Sequence, residues 1–265
     1  MGTKLTNAPV YYTVVQVQFN PILNLESYLP IIQSRLRDIH LPDYRSEAIP
    51  RLVLPFGVAE GNQVVAPTLT SQPRYTFGDI DGRANVVLES NTLAFQTTQY
   101  ETFEAFSATF MKGLGIVHDA LRLDFVERIG LRYLDAISPM RDTETLGDYL
   151  IPQVFGLSMR AEGKLQHSIS ETVSIAGISQ LVTRVLIREG QIGLPPELAQ
   201  LAPTIDPRFS QEGARLHAIV DNDASIIRRE AFDLDKIAGH LEFLHAEIKA
   251  SFEATVTKHA LDAWA

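Results

Sequence analysis

Charged side chains set into strand-like sequence are the residues of this chain best placed to do chemistry. Asp124 to Ile137 alternates, with Phe125, Ile129, Leu131, Tyr133 and Ile137 on one face. Glu127 and Asp135 interrupt that face, and Arg128, Gly130 and Arg132 share the other. Arg184 and Arg188 alternate in phase on a second run, while Arg215 and Arg229 lie on a third. Charge on a central strand is costly unless it is paired or solvated. A concave sheet face carrying Arg128, Arg132, Arg184 and Arg188 would therefore suit a small anionic ligand or an acidic segment of a protein partner, because the guanidinium fork matches carboxylate and phosphate. The competing expectation is that these arginines form salt bridges with Glu127, Asp135 and Glu171, or face water. A third reading uses Glu127 and Asp135 as the acid and base of a hydrolase-like enzyme, which requires a strongly raised pKa on one of them.

Other site chemistries find little support. His240 and His245 flank Glu242, but a separation of five places the two imidazoles on different helix faces, whereas a zincin needs two histidines four apart. His118, His167, His217 and His259 are scattered, so no metal site is expected. Gly177-Ile178-Ser179-Gln180-Leu181 lacks the last glycine of a nucleophile elbow. Gly113-Leu114-Gly115 sits in a helical pattern without the third glycine of a dinucleotide fingerprint, and no phosphate-binding loop motif occurs, so no cofactor is expected.

The elements that must position these residues follow from periodicity. Val10 to Phe19 is rich in β-branched and aromatic residues and reads as a strand. Leu25 to Ile39 reads as an amphipathic helix with Pro30 in its first turns, and Arg51 to Phe56 as a short strand closed by Gly57. Arg74 to Phe77 runs into a turn at Gly78–Gly82, and Ala84–Leu88 pairs with Thr92–Thr97 around Ser90-Asn91. After Tyr100 the period changes to about 3.6, giving a long helix through Phe103, Phe106, Phe110, Leu114, Val117 and Leu121.

The second half repeats the order. Leu146 to Phe155 looks helical although it contains Pro152. Ser168–Ala176 and Leu181–Ile187 form a hairpin, and residues 190–212 form a proline-rich loop with one helical turn at Glu197–Leu201. Gly213–Val220 and Ser225–Ala231 form a further hairpin around Asp221-Asn222-Asp223. Asp233 then caps a long helix, and Phe232 staples against Ile237. The fold class expected is α+β: an extended, mostly antiparallel sheet with long helices on one face, built from two pseudo-repeated halves, 1–140 and 141–265, that share one continuous sheet.

Composition sets the outer bounds. The 265 residues are 45% hydrophobic and 21% charged, enough for a sizeable core. With no cysteine, disulfides, thiolate catalysis and sulfur-ligated metal are excluded. The net charge is −9; residues 1–140 hold 11 basic and 14 acidic residues, and 141–265 hold 12 and 18. Neither half is basic, which disfavours nucleic acid as a partner. No segment approaches the ~18 apolar residues of a membrane span, and the start of the chain lacks a signal-peptide pattern. Gly2 and Thr6 match a loose myristoylation pattern that arises readily by chance. The expectation is a cytoplasmic protein.

Three stretches carry a family resemblance: Lys4-Leu5-x-Asn7-Ala8-Pro9-Val10, Arg128-Ile129-Gly130-Leu131-Arg132-Tyr133-x-Asp135-x-Ile137, and Leu244-His245-x-x-Ile248-x-x-x-Phe252-Glu253-x-x-Val256-Thr257. Together they resemble a sporadically distributed, uncharacterised bacterial protein family of about this length. The resemblance spans the chain and implies an accessory protein inherited patchily, of the kind found beside mobile or defence genes. It brings no catalytic pattern. The function expected is a binding or accessory protein engaging a protein partner or small anionic ligand, with a homodimer as one arrangement. The alternatives are a nucleic-acid-associated sheet saddle, an analogy from architecture alone, and the carboxylate enzyme.

Overall fold

A computed structural model describes residues 7–53, 68–160, 162–200, 202–209 and 215–265. It contains one antiparallel sheet of nine strands: β1 (Val10–Phe19), β2 (Asp43–Val53), β3 (Thr68–Gly78), β4 (Ala84–Glu89), β5 (Thr92–Thr97), β6 (Phe125–Ile137), β7 (His167–Ala176), β8 (Ser179–Gly190) and β9 (Arg215–Ala231). Their order across the sheet is β2-β3-β4-β5-β1-β6-β9-β8-β7. Helices α1 (Leu29–Arg37), α2 (Phe103–Leu121), α3 (Leu146–Tyr149), α4 (Pro196–Ala199), α5 (Leu234–Thr255) and α6 (Lys258–Trp264) make the fold α+β.

Local sequence explains most of these boundaries. Thr102 caps α2, its hydroxyl accepting from the Ala105 N–H at 3.2 Å. Asp233 caps α5 by accepting from the Lys236 N–H at 3.0 Å. Satisfying such otherwise unpaired N–H groups typically contributes about 1 kcal/mol. Phe232 stacks on His118 with centroids 4.2 Å apart. Pro30 falls in the first turn of α1, where its missing N–H costs nothing.

The centre of the sheet is occupied by β1 and β6, and the core forms around them. Val15, Val17, Phe95, Leu131 and Ile226 from the strands share one cluster with Ile32 and Leu36 of α1, Phe106, Phe110 and Leu114 of α2, and Ile237, Leu241 and Leu244 of α5. A second cluster joins Ile137, Tyr149, Val185, Val220, Val256 and Trp264. Outward from β1 the neighbours are β5, β4, β3 and β2; outward from β6 they are β9, β8 and β7. In both directions the chain leaves the inner strand, reaches the sheet margin and returns strand by strand. A long helix follows each return, α2 after β5 and α5 after β9.

Several expectations need correction. Asp221-Asn222-Asp223 is no turn, because β9 runs unbroken for 17 residues and is the longest strand among those described. Flanked on both sides, these residues pair with Leu134, Tyr133 and Arg132 of β6 and with Arg184, Thr183 and Val182 of β8. The expected 213–231 hairpin, and its likeness to the β4–β5 hairpin, therefore fail. Of the expected Arg51–Phe56 strand, residues 51–53 are the end of a strand that begins at Asp43, and residues 54–57 lie outside the described residues. Leu146–Phe155 divides into α3 and a 3-10 segment, Pro152–Met159, because Pro152 cannot continue an α-helix.

Phe110 is fully buried in the main core. Replacing it with alanine removes a large apolar side chain and leaves a cavity, so Phe110→Ala is expected to lower unfolding free energy by about 3–5 kcal/mol, measured by urea denaturation.

Candidate functional site

Cross-strand partners project to the same side of a sheet, and alternate residues along a strand to opposite sides. The register therefore places Arg128 and Arg132 of β6 on the same side as Arg184 and Arg188 of β8. This is the side opposite Val15, Val17 and Leu131, and it also bears Tyr12, Gln16 and Gln96.

Two of the four arginines converge. Arg132 donates through Nε and Nη2 to the two carboxylate oxygens of Asp221, both at 2.7 Å, and Arg184 Nη1 approaches the same carboxylate at 3.6 Å. Arg184 also donates to Glu171 on β7, one of the carboxylates expected to neutralise these arginines. Burial disfavours the charge on Arg132, but the hydrogen bonds and attraction of Asp221, with Glu197 and Asp223, hold its pKa above the ordinary value. Burial raises the pKa of Asp223, which Arg132 and Arg128 oppose.

Arg128 and Arg188 stand apart. Arg128 Nη1 donates to Gln16 Oε1 at 2.8 Å, lying over the backbone of Gly130. A Cβ on Gly130 would sit 2.7 Å from that nitrogen, so the glycine leaves room for the guanidinium. Arg188 Nη2 donates to the Gln191 carbonyl at 3.0 Å.

The residues that complete the cluster include two that the sequence reading passed over. Glu197 reaches from α4 to Arg132 Nη2 at 3.0 Å, while its side chain remains 59% exposed. The signal at Asp221 was visible but its three polar neighbours resembled turn chemistry. Tyr12 donates to Gln96 Oε1, and Gln96 Nε2 donates to Asn85 Oδ1 at 2.8 Å, extending the polar chain toward β4.

Glu197 belongs to a strap, residues 190–200 and 202–209, laid over this side of the sheet. Ile192, Leu194, Leu198, Ile205 and Phe209 pack against a cluster of Tyr11, Tyr12, Leu134, Ala136 and Ile219. The strap is tied down by polar contacts at several points. Tyr11 donates to the Gly193 carbonyl at 2.8 Å, Thr98 Oγ1 to the Thr204 carbonyl at 2.7 Å, and the Thr204 N–H to the Gly82 carbonyl at 2.8 Å.

The expected acid–base pair does not form. Glu127 and Asp135 are eight residues apart on β6, roughly 27 Å at the rise of an antiparallel strand, far beyond the ~5–10 Å that lets two carboxylates act on one bond. Glu127 instead accepts from Arg229. Asp135 is 7% exposed on the side of Tyr133, and burial, aided by the negative charge of Asp221, pushes its pKa up to about 8. Nearby, Tyr133 donates to Tyr100 Oη at 3.2 Å and lies 3.4 Å from His245 Nδ1, while His245 stacks on Phe103 at 4.1 Å. His240 pairs with Glu230 at 3.3 Å, so the two α5 histidines serve separate contacts. Among the described residues, no group of three or more histidines and carboxylates could hold a metal ion.

Comparison of the chain with known protein families and with curated proteins finds no match to either.

Two predictions follow from these geometries. Asp221→Ala leaves Arg132 buried without its bidentate partner and is expected to cost about 3–5 kcal/mol, read from chemical denaturation. Asp135 carries a proton in the folded chain up to about pH 8, whereas an unfolded aspartate releases it near pH 4. Between those values the native state binds more protons than the unfolded state, so stability falls as pH rises. The fall is expected to approach at most ~1.4 kcal/mol per pH unit, and denaturation midpoints of Asp135→Asn across the same window should lack it.

Proposed function

We propose that this chain is a non-catalytic accessory protein that engages a protein partner on the open, arginine-bearing side of its sheet. In this reading its halves, 1–140 and 141–265, form a structural pseudo-repeat, with α2 and α5 together backing the opposite side. The matching outward orders of strands from β1 and from β6 support the duplication. The shared core of α2 and α5 supports the common backing. The family resemblance, with the accessory role it implies, and the cytoplasmic setting expected from the sequence agree with the same reading.

The observation that carries the proposal is the Arg132–Glu197 contact. Asp221 fixes the orientation of the guanidinium, and the remaining Nη2 donor is taken by a half-exposed carboxylate on a strap. Glu197 thus stands where a partner's carboxylate would sit, and an acidic segment exchanges for it at little cost in charge. Asp221, Asp223 and Glu171 surround Arg128, Arg132 and Arg184. That balance disfavours a free multivalent anion or a nucleic-acid backbone, both of which need uncompensated positive charge.

The test uses a short alanine peptide carrying one glutamate, titrated calorimetrically at low ionic strength. Glu197→Gln is expected to bind it roughly tenfold more tightly than the unsubstituted chain, a difference of about 1.4 kcal/mol. Adding Arg132→Lys should abolish the gain, because lysine lacks the planar fork. Equal affinity in all three proteins would overturn the reading.

A further inference from the structure

The two margins of the sheet differ in chemistry. At one end, β2 carries Asp43, Arg45 and Glu47, with Pro50 further along, and charges and proline are the usual means of preventing a margin from pairing with another strand. At the other end, β7 reads His167-Ser-Ile-Ser-Glu-Thr-Val-Ser-Ile-Ala176 without proline. Its side chains on the open side include Ile169, Val173 and Ile175, which are 60%, 54% and 78% exposed. The strand's one carboxylate, Glu171, is turned inward to Arg184 on β8. Among the described strands only β8 pairs with β7, which leaves a ten-residue row of outward backbone groups free for a further strand. This margin is apolar and locally neutral on that side; the 3-10 segment Pro152–Met159 packs near its start, where Ser168 donates to the Phe155 carbonyl at 3.4 Å, and among the described residues no other strand pairs with it.

We propose that β7 pairs antiparallel with β7 of a second copy of this chain, joining two nine-stranded sheets into one. The sequence of the strand favours its own copy as occupant. Partners across an antiparallel ladder share a face, so a two-fold axis must pass through a residue. Two registers keep nine residues of β7 in the ladder. With Glu171 on the axis, two carboxylates stand directly opposite each other, which is destabilising. With Thr172 on the axis, Ile169 of each copy meets Ile175 of the other, and Glu171 meets Val173. Charge therefore selects the Thr172 register. The net charge of −9 on each copy opposes association at long range, so the dimer tightens as added salt screens that repulsion. The inference does not depend on Glu197.

The full chain contains no cysteine, so single replacements report the register directly. Sedimentation equilibrium over a graded concentration series is expected to show a monomer–dimer equilibrium that strengthens with salt. The double variant Val173→Glu, Ile175→Glu changes only exposed side chains, sets a glutamate opposite Glu171 of the other copy, and should weaken the dimer tenfold or more, with an unchanged circular dichroism spectrum confirming the fold. Thr172→Cys should oxidise to a covalent dimer. Ile175→Cys alone should not, because its two copies stand roughly 20 Å apart in this register, yet an equimolar mixture with Ile169→Cys should cross-link. A monomer at every concentration, or a dimer indifferent to the two glutamates, overturns the proposal. Cross-linking by Glu171→Cys but not Thr172→Cys overturns the register. Glu197→Gln should dimerise unchanged, which separates failure here from failure at the strap.

Discussion

A charged pair closed inside a sheet holds this structure to its shape. Arg132 on β6 grips both oxygens of Asp221 on β9, and neither side chain is more than 11% exposed. Taking two charges out of water is expensive, and their attraction offsets that cost only when the geometry is good and remaining donors are satisfied. Here Glu197 takes the spare donor of Arg132 and Arg184 lies beside Asp221. The pair also settles a local conflict. A run of Asp, Asn and Asp favours a turn when left to itself, but between β6 and β8 each of these residues meets a cross-strand partner. The chain passes straight through, and β9 joins strands that lie far apart in sequence.

The same pair orders the polar side of the sheet. With Arg132 fixed, Glu197 has a definite place to land, and the strap that carries it closes over Tyr11, Tyr12, Leu134 and Ile219. Thr204 binds Gly82 and Thr98 from the first half of the chain, so the strap ties sequence-distant parts together. Around Arg132 and Arg184, charge on this side is balanced residue by residue. A surface of that kind selects partners by the placement of individual groups more than by overall field.

On the other side, a different kind of polar group is enclosed. Asp135, Tyr133 and Tyr100 sit near the meeting of the first and second apolar clusters, and Asn222 accepts from Thr183, which bonds Ser251 on α5 at 2.6 Å. Among the described residues, Asn222 Nδ2 and Thr13 Oγ1 are buried and find no hydrogen-bond partner. Such groups cost stability, and they lower the local cohesion of the region where α5 crosses from one cluster to the other.

How much of this was legible in the residues depends on whether the deciding physics is local. The span of α2, the cap at Asp233, the β4–β5 and β7–β8 turns and the central strands follow from periodicity, capping and turn chemistry, which act over a few positions. The arginines of β6 and β8 share a side because alternation is fixed by the backbone once the strands are recognised. Tertiary structure alone decided the rest. Whether Asp221 turns or continues depends on Arg132, 89 positions away. Whether Arg132 is free depends on Glu197, in a loop whose sequence has no period. Which strands become margins depends on the order of the sheet, since β2 and β7 are adjacent to neither terminus yet end the array. Local sequence chooses the elements; long-range pairing of buried charge and backbone chooses their neighbours.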